Sequence, residues 1–249
     1  MPGTSGFDRP VRAAVIGASG GIGQAFVEQL AAADNVAAVL ALSRRAKGPE
    51  RYKVEHGTID TDDEASIVAA AKRAGRAMGG LDLVLVATGM LHGPNGVQPE
   101  KSWRQLSPEA MLRLYRTNTV GPALVAKHFL PLLPRQGRCV FAALSARVGS
   151  IGDNGLGGWH SYRASKAALN MLLRNFAIEL GRRNDDGVVV GLHPGTVDTG
   201  LSAPFQGGVP EGRLFTPGHA AERMLETLDR LQGKDSGGLF AYDGARLPY

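Results

Sequence analysis

Val11-Arg12-Ala13-Ala14-Val15-Ile16-Gly17-Ala18-Ser19-Gly20-Gly21-Ile22-Gly23 is an apolar run that breaks into glycines and continues as a helical pattern. A short apolar run without polar alternation predicts a strand buried on both faces, as in a parallel sheet. Past Ile22, the apolar residues Phe26, Val27 and Leu30 recur at spacings of three and four, which predicts a helix. Glycines between a strand and a helix let the backbone come close to a phosphate, and the helix N-terminus aims unpaired N–H groups at it. Gly17, Gly21 and Gly23, with Ser19 and Ile22 among them, therefore predict a dinucleotide pyrophosphate site. A plain glycine-rich turn is the alternative reading.

Similar apolar runs recur at residues 36–42, 52–59, 81–87, 138–144, 188–193 and 239–242, each read as a strand. Helical patterns lie between them: through Ile67, Val68 and Ala71, over residues 108–133 with a bend expected near Gly121-Pro122, over 162–180, and over 219–231. Alternation of strands and helices predicts an α/β fold. The expectation is one doubly wound Rossmann-type domain over residues 1–249, with a mostly parallel seven-stranded sheet and helices on both faces. Residues 1–10 read as a flexible tail.

The chain has 249 residues, 43% hydrophobic and 20% charged, which is the balance of a folded protein rather than a disordered one. A single cysteine, Cys139, excludes an internal disulfide framework. The net charge of +5 raises anionic partners. Its basic residues crowd at Arg44, Arg45, Lys47, Arg51 and Lys53, and only 6% of the chain is aromatic, so one local anion site is favoured over a nucleic-acid surface. No stretch approaches the ~18 apolar residues that span a membrane. Residues 1–10 lack the apolar core of a signal peptide, so a cytoplasmic location without membrane or nucleic-acid partners is expected. The histidines show no H-x-H or H-E-x-x-H spacing, and no metal site is expected.

The second strand ends Leu42-Ser43-Arg44-Arg45, with no carboxylate nearby. An acidic side chain here would hold the 2′-hydroxyl of NAD; Ser43 and Arg44 instead suit the 2′-phosphate of NADP. Asp60, after the third strand, can accept from an adenine amino group or serve to cap the next helix.

Tyr162 and Lys166 lie four apart, on one face of a helix. A phenol with a pKa near ~10 is a poor proton donor or acceptor at neutral pH, and a neighbouring ammonium favours its ionised form.

The glycine turn, Asn118 in the long helical stretch, Tyr162 with Lys166, and Pro194-Gly195-Thr196-Val197-Asp198-Thr199 after the sixth strand occur in this order. Together they resemble the classical short-chain dehydrogenase/reductase family over essentially the whole chain. The stretches from Ser145 to Ile151 and from Tyr162 to Asn170, with Ser236-Gly237-Gly238-Leu239-Phe240 and the terminal Leu247-Pro248-Tyr249, are similar to its C-factor (C-signal) subgroup. The resemblance implies that Tyr162 is the general acid in carbonyl reduction and the base in alcohol oxidation. Lys166 would lower the Tyr162 pKa and bind the nicotinamide ribose, and Asn118 would hold a water relaying protons from Lys166. Val197 and Thr199 would contact the carboxamide above the Pro194-Gly195 turn. Ala87 and Gly89 would line the adenosine, and residues 201–217 would form the substrate lid.

Two departures stand out. The family's Asn-Asn-Ala-Gly after the fourth strand is Val86-Ala87-Thr88-Gly89 here. The family's Ser-Ser-x-x-Gly, aligned on Gly149, places Ala146 where the polarising serine stands and Ser145 one position earlier. The loop of residues 152–160 reads as an insertion. Ser145 is the candidate polarising hydroxyl and Ser150 the reserve.

The expected function is hydride transfer between NADP(H) and a small carbonyl or alcohol substrate, in a cleft with little aromatic lining. The alternative is an NADP(H)-binding signalling or regulatory protein with little turnover. By resemblance, the long helices form the interface of a homodimer or tetramer.

Overall fold

The computed structural model describes residues 4–93 and 96–249. In chain order the elements are β1 (Val11–Ile16), α1 (Gly21–Ala32), β2 (Val36–Ser43), β3 (Val54–Thr58), α2 (Glu64–Met78), β4 (Leu83–Val86), α3 (Pro108–Tyr115), α4 (Gly121–Phe129), β5 (Cys139–Leu144), α5 (His160–Gly181), β6 (Gly187–His193), β7 (Thr196–Val197), β8 (Leu214–Phe215), α6 (Pro217–Arg230), β9 (Leu239–Ala241) and β10 (Arg246–Leu247), with short 3-10 turns between some of them.

Alternate side chains of the strands feed two cores. Ala13 and Val15 of β1, with Leu83 and Leu85 of β4, meet Phe26 and Leu30 of α1 and Met224 and Leu228 of α6. Ala14 and Ile16, with Val84 and Val86, meet Ile67 of α2, Phe129 of α4 and Leu173 of α5. A strand buried on both faces has no polar register to keep, which is why these strands read as continuous apolar runs.

The main sheet runs β10-β9-β6-β5-β4-β1-β2-β3 and is parallel except for β10. It therefore has eight strands where seven are expected from sequence; β10 is too short to show a period. β7 and β8 form a separate small parallel pair. The strand order reverses between β4 and β1, which opens a crevice beyond their carboxyl ends.

The segment before β1 and the long helical stretch carry detail that periodicity does not show. In the segment before β1, Thr4 is buried with its hydroxyl on Asn35 and Phe7 joins the core beside α6, while the residues between and after them are exposed and residues 1–3 lie outside the described residues. The helical stretch over residues 108–133 is broken by a π turn at Arg116–Val120, in which the Gly121 N–H reaches the Arg116 carbonyl. Pro122 has no N–H to give to the carbonyl of Asn118, its α-helical partner, and the turn widens just ahead of it.

At the far edge of the strands, Asp82 is fully buried and clamps the chain before β1 to the start of β4. It pairs with Arg9 at 2.8 Å and Arg12 at 2.9 Å, and it also accepts the Arg12 backbone N–H at 3.0 Å. Among the described residues, no helix is long and apolar enough to cross a membrane.

Candidate active site

The glycine turn is forced by close approach. Gly17 has φ +87°, and a Cβ there would meet the Ala87 backbone at 3.0 Å. A Cβ on Gly23 would overlap the Gly17 carbonyl, and one on Gly21 would fall 2.9 Å from the Thr199 methyl. The turn is tied to β2 by the N–H groups of Gly17 and Ala18, which both donate to the Leu42 carbonyl, at 2.8 and 3.0 Å. Gly20 caps α1 without a side chain and the first turn holds no acid, so the first N–H groups of α1 face the crevice unopposed. Ser19 is exposed on this turn.

At the end of β2, Ser43 is buried and donates to the Arg45 carbonyl, which curls the chain and leaves Arg44 exposed. Among the described residues, no hydrogen bond or ion pair engages the Arg44 guanidinium. Asp60 lies off the crevice lining, where its Oδ1 accepts the Asp62 N–H at 3.0 Å; the cap of α2 is Asp63.

A cavity of about 590 Å³ opens at the carboxyl ends of the strands. Gly21, Ile22, Ala87, Gly89, Ser145, Tyr162, Lys166, Pro194, Gly195, Val197 and Thr199 all line it. Tyr162 is buried, and that burial pushes its phenol above the ordinary value. Lys166 is buried too, which brings its ammonium down to about 8. Its Nζ lies 5.9 Å from the Tyr162 ring centre and donates to the Leu144 carbonyl at 2.8 Å. Gly149 lets α5 come this close, since a Cβ there would sit 2.7 Å from Lys166 Cβ.

Asn118 is fully buried on the π turn. Its Oδ1 accepts the Met90 N–H and its Nδ2 donates to the Met90 carbonyl, both at 2.8 Å, with a further bond to Ser165 Oγ at 3.0 Å. Ser145 lines the cavity and donates to Asn170 Oδ1 at 2.6 Å. Ser150 does not line it; its hydroxyl accepts the Asp153 N–H in a turn. His193 lies beside Ser145, held neutral with a pKa near 4 by burial and by the charge of Arg147, against a weaker opposite pull from Asp243.

A family model described as short chain dehydrogenase matches residues 12–208. The chain belongs to the short-chain dehydrogenase family. A 1-hydroxy-2-glutathionyl-2-methyl-3-butene dehydrogenase of Rhodococcus sp. is 33% identical over 241 residues, covering 94% of this chain and 98% of the relative. C-signal of Myxococcus xanthus is 36% identical over 139 residues, 56% of this chain and 78% of that protein. The crystal structure of an NADPH-bound carbonyl reductase from chicken fatty liver superposes with a TM-score of 0.83 at 29% identity, covering 97% of this chain and 100% of that one.

Several features of this short-chain dehydrogenase cleft escape the sequence. It is more aromatic than expected: Trp159 and Phe205 line it with Tyr162, and their rings meet at 5.3 Å. His92 stacks edge-on against Phe205 at 5.8 Å and hydrogen-bonds the Gly200 carbonyl at 3.0 Å, bracing the segment from Gly200 to Phe205. The Thr88 hydroxyl, in the departure from the family's Asn-Asn-Ala-Gly, is buried and has no hydrogen-bond partner among the described residues. Asn170 had no local signal either, because it meets Ser145 only across the fold. Among the described residues no cluster of three or more His, Cys, Asp or Glu could hold a metal ion.

Proposed function

We propose that this short-chain dehydrogenase transfers a hydride between NADP(H) and a carbonyl or alcohol, with Tyr162 as the general acid or base. The observation that carries this reading is the pairing of Tyr162 and Lys166 on the cavity wall facing the uncapped N-terminus of α1. That N-terminus, with glycines that leave no room for a Cβ, suits a pyrophosphate, and the exposed Arg44 suits a 2′-phosphate. The likeness to an NADPH-bound carbonyl reductase supports the same cofactor. When bound, the reduced nicotinamide supplies the hydride to the carbonyl carbon.

Tyr162 Oη gives the proton to the carbonyl oxygen, and burial keeps that proton in place until it is needed. Lys166, on the cavity wall, would hold the nicotinamide ribose, and the Asn118 carbonyl, which Pro122 leaves without an α-helical donor, would hold a water that returns protons to Lys166. Ser145 polarises the carbonyl once its proton turns from Asn170 to the substrate; a flipped Asn170 amide would then donate to Ser145 Oγ. The exposed Leu112 of α3 and Met171 and Ile178 of α5 form the face by which two copies associate.

The test is NADPH oxidation with a panel of apolar ketones and aldehydes, for the parent chain and Tyr162→Phe. Loss of about 10²-fold or more in kcat with NADPH still bound supports the reading. Full turnover by the variant overturns the role of Tyr162. Tight NADPH binding with no turnover on any carbonyl favours the regulatory alternative.

A further inference from the structure

Helix α5 carries Tyr162 and Lys166, and it begins abnormally. Gly157, Gly158 and Trp159 all have positive φ, at +63°, +66° and +49°, and Trp159 is one of only two described non-glycine residues in this conformation. A tryptophan in the left-handed region is strained and persists only where the surroundings over-determine it. Trp159 is also the N-cap of α5, and its side chain caps nothing.

The missing cap comes from far away in sequence. Glu100, in the segment between β4 and α3, is 4% exposed, and its backbone carbonyl accepts the Trp159 N–H at 2.5 Å. Its carboxylate accepts the Ser161 N–H at 3.2 Å and the hydroxyl of Ser161, which is itself fully buried. One residue thus grips both sides of the strained turn, and its negative charge sits at the positive end of the helix dipole. What the turn holds is the substrate wall: the Trp159 ring meets Tyr162 edge-on at 6.3 Å and Phe205 of the lid segment at 5.3 Å.

We infer that Glu100 is a positioning residue that locks Trp159 and the first turn of α5, and through them sets Tyr162 and the aromatic wall against the substrate. Glu100 does not itself line the cavity. The glycine turn and the end of β2 lie away from this grip, so Glu100 acts chiefly on the substrate half. Its kinetic consequence rests on the reductase reading above; its structural consequence does not.

The test uses Glu100→Ala, Glu100→Gln and Ser161→Ala in the full chain, each with and without Trp103→Phe. Trp103 is 67% exposed, and its removal leaves Trp159 as the only tryptophan. Glu100→Ala is expected to lower kcat by roughly tenfold to a hundredfold, the scale of a misplaced catalytic group, with NADPH affinity held within about twofold. Its Trp159 emission should shift to the red. Glu100→Gln, which keeps an oxygen for Ser161, should recover most of both signals, and Ser161→Ala, the mildest change, should show a smaller version. Unshifted Trp159 emission in Glu100→Ala overturns the inference even if no carbonyl is ever reduced. So does an equal loss of NADPH affinity and kcat in Ser161→Ala, which would mark general destabilisation rather than placement. Absence of turnover in the parent chain defeats the reductase reading alone, and the fluorescence arm still decides the role of Glu100.

Discussion

Asn118 holds Met90 by both of its backbone polar groups, each at 2.8 Å, across 28 positions of sequence. The side chain stitches the segment after β4, which lines the crevice, to the π turn ahead of α4. It also satisfies Ser165, one residue from Lys166. Asn118→Ala would strand the partly buried N–H and carbonyl of Met90, each worth about 1–3 kcal/mol when left unpaired, while the Ser165 hydroxyl keeps its bond to the Tyr162 carbonyl at 2.8 Å. With partial relaxation we expect a loss of about 2–4 kcal/mol, and a melting temperature lower by roughly 5–15 °C for a chain of this size. Thermal melts with and without NADPH check it, and the variant should also bind NADPH more weakly because Ala87 to Gly89 lose their support.

The pH profile of reduction should be set by Lys166. Burial brings this ammonium to about 8 while it pushes the Tyr162 phenol up, so Tyr162 keeps its proton across the working range. As pH rises through about 8, Lys166 loses the positive charge that supports a developing phenolate. The expected kcat for reduction is level below this value and falls above it. Steady-state rates at saturating NADPH across the alkaline range measure this, and a profile flat well past 8 would contradict the assignment.

Arg44 should decide between the two dinucleotides. Its guanidinium is exposed at the end of β2, beside the turn closed by Ser43. A charge-assisted bond to a phosphate contributes about 1.5–3 kcal/mol, so Arg44→Ala should weaken NADPH by about tenfold to a hundredfold. NADH, which has no 2′-phosphate, should bind both proteins alike. Paired calorimetric titrations check it; equal losses for NADPH and NADH would show that the loop serves the fold rather than the phosphate.

Asp82 should govern acid stability. Burial by itself would raise its pKa, yet the hydrogen bonds and charge of Arg12, with the charge of Arg9, bring it below the ordinary value. The folded chain therefore holds this proton less tightly than the unfolded chain. The stabilisation is complete above the unfolded value near ~3.9 and is lost as pH falls through the lower folded value. Breaking a buried pair costs about 3–5 kcal/mol, and because both arginines remain partly exposed Asp82→Asn should cost less, about 2–3 kcal/mol at neutral pH. Urea melts at neutral and acid pH should show the gap between parent and variant shrinking as pH falls.

Features that repeat along the chain or sit within one turn of it were legible without coordinates. Apolar runs gave the strands because a doubly covered strand admits no polar positions. The glycines at 17, 21 and 23 marked a turn too tight for side chains, and the four-residue spacing of Tyr162 and Lys166 put both on one helix face. Even the break in the long helix was foreshadowed by Pro122, although the widened turn falls just ahead of it.

The tertiary structure decided the partnerships. Glu100 caps Ser161 across 61 positions, Ser145 meets Asn170 across 25, and Asp82 receives Arg12 across 70. No periodicity encodes such pairs, because their meeting depends on strand order and on how loops fold back over the carboxyl ends of the sheet. Trp159 stands three residues before Tyr162 in the sequence, but its pairing with Phe205 was hidden for the same reason: composition counts the rings, and only packing brings them together. A helical spacing is fixed by local backbone geometry; a contact between distant segments is fixed only when the whole core has closed.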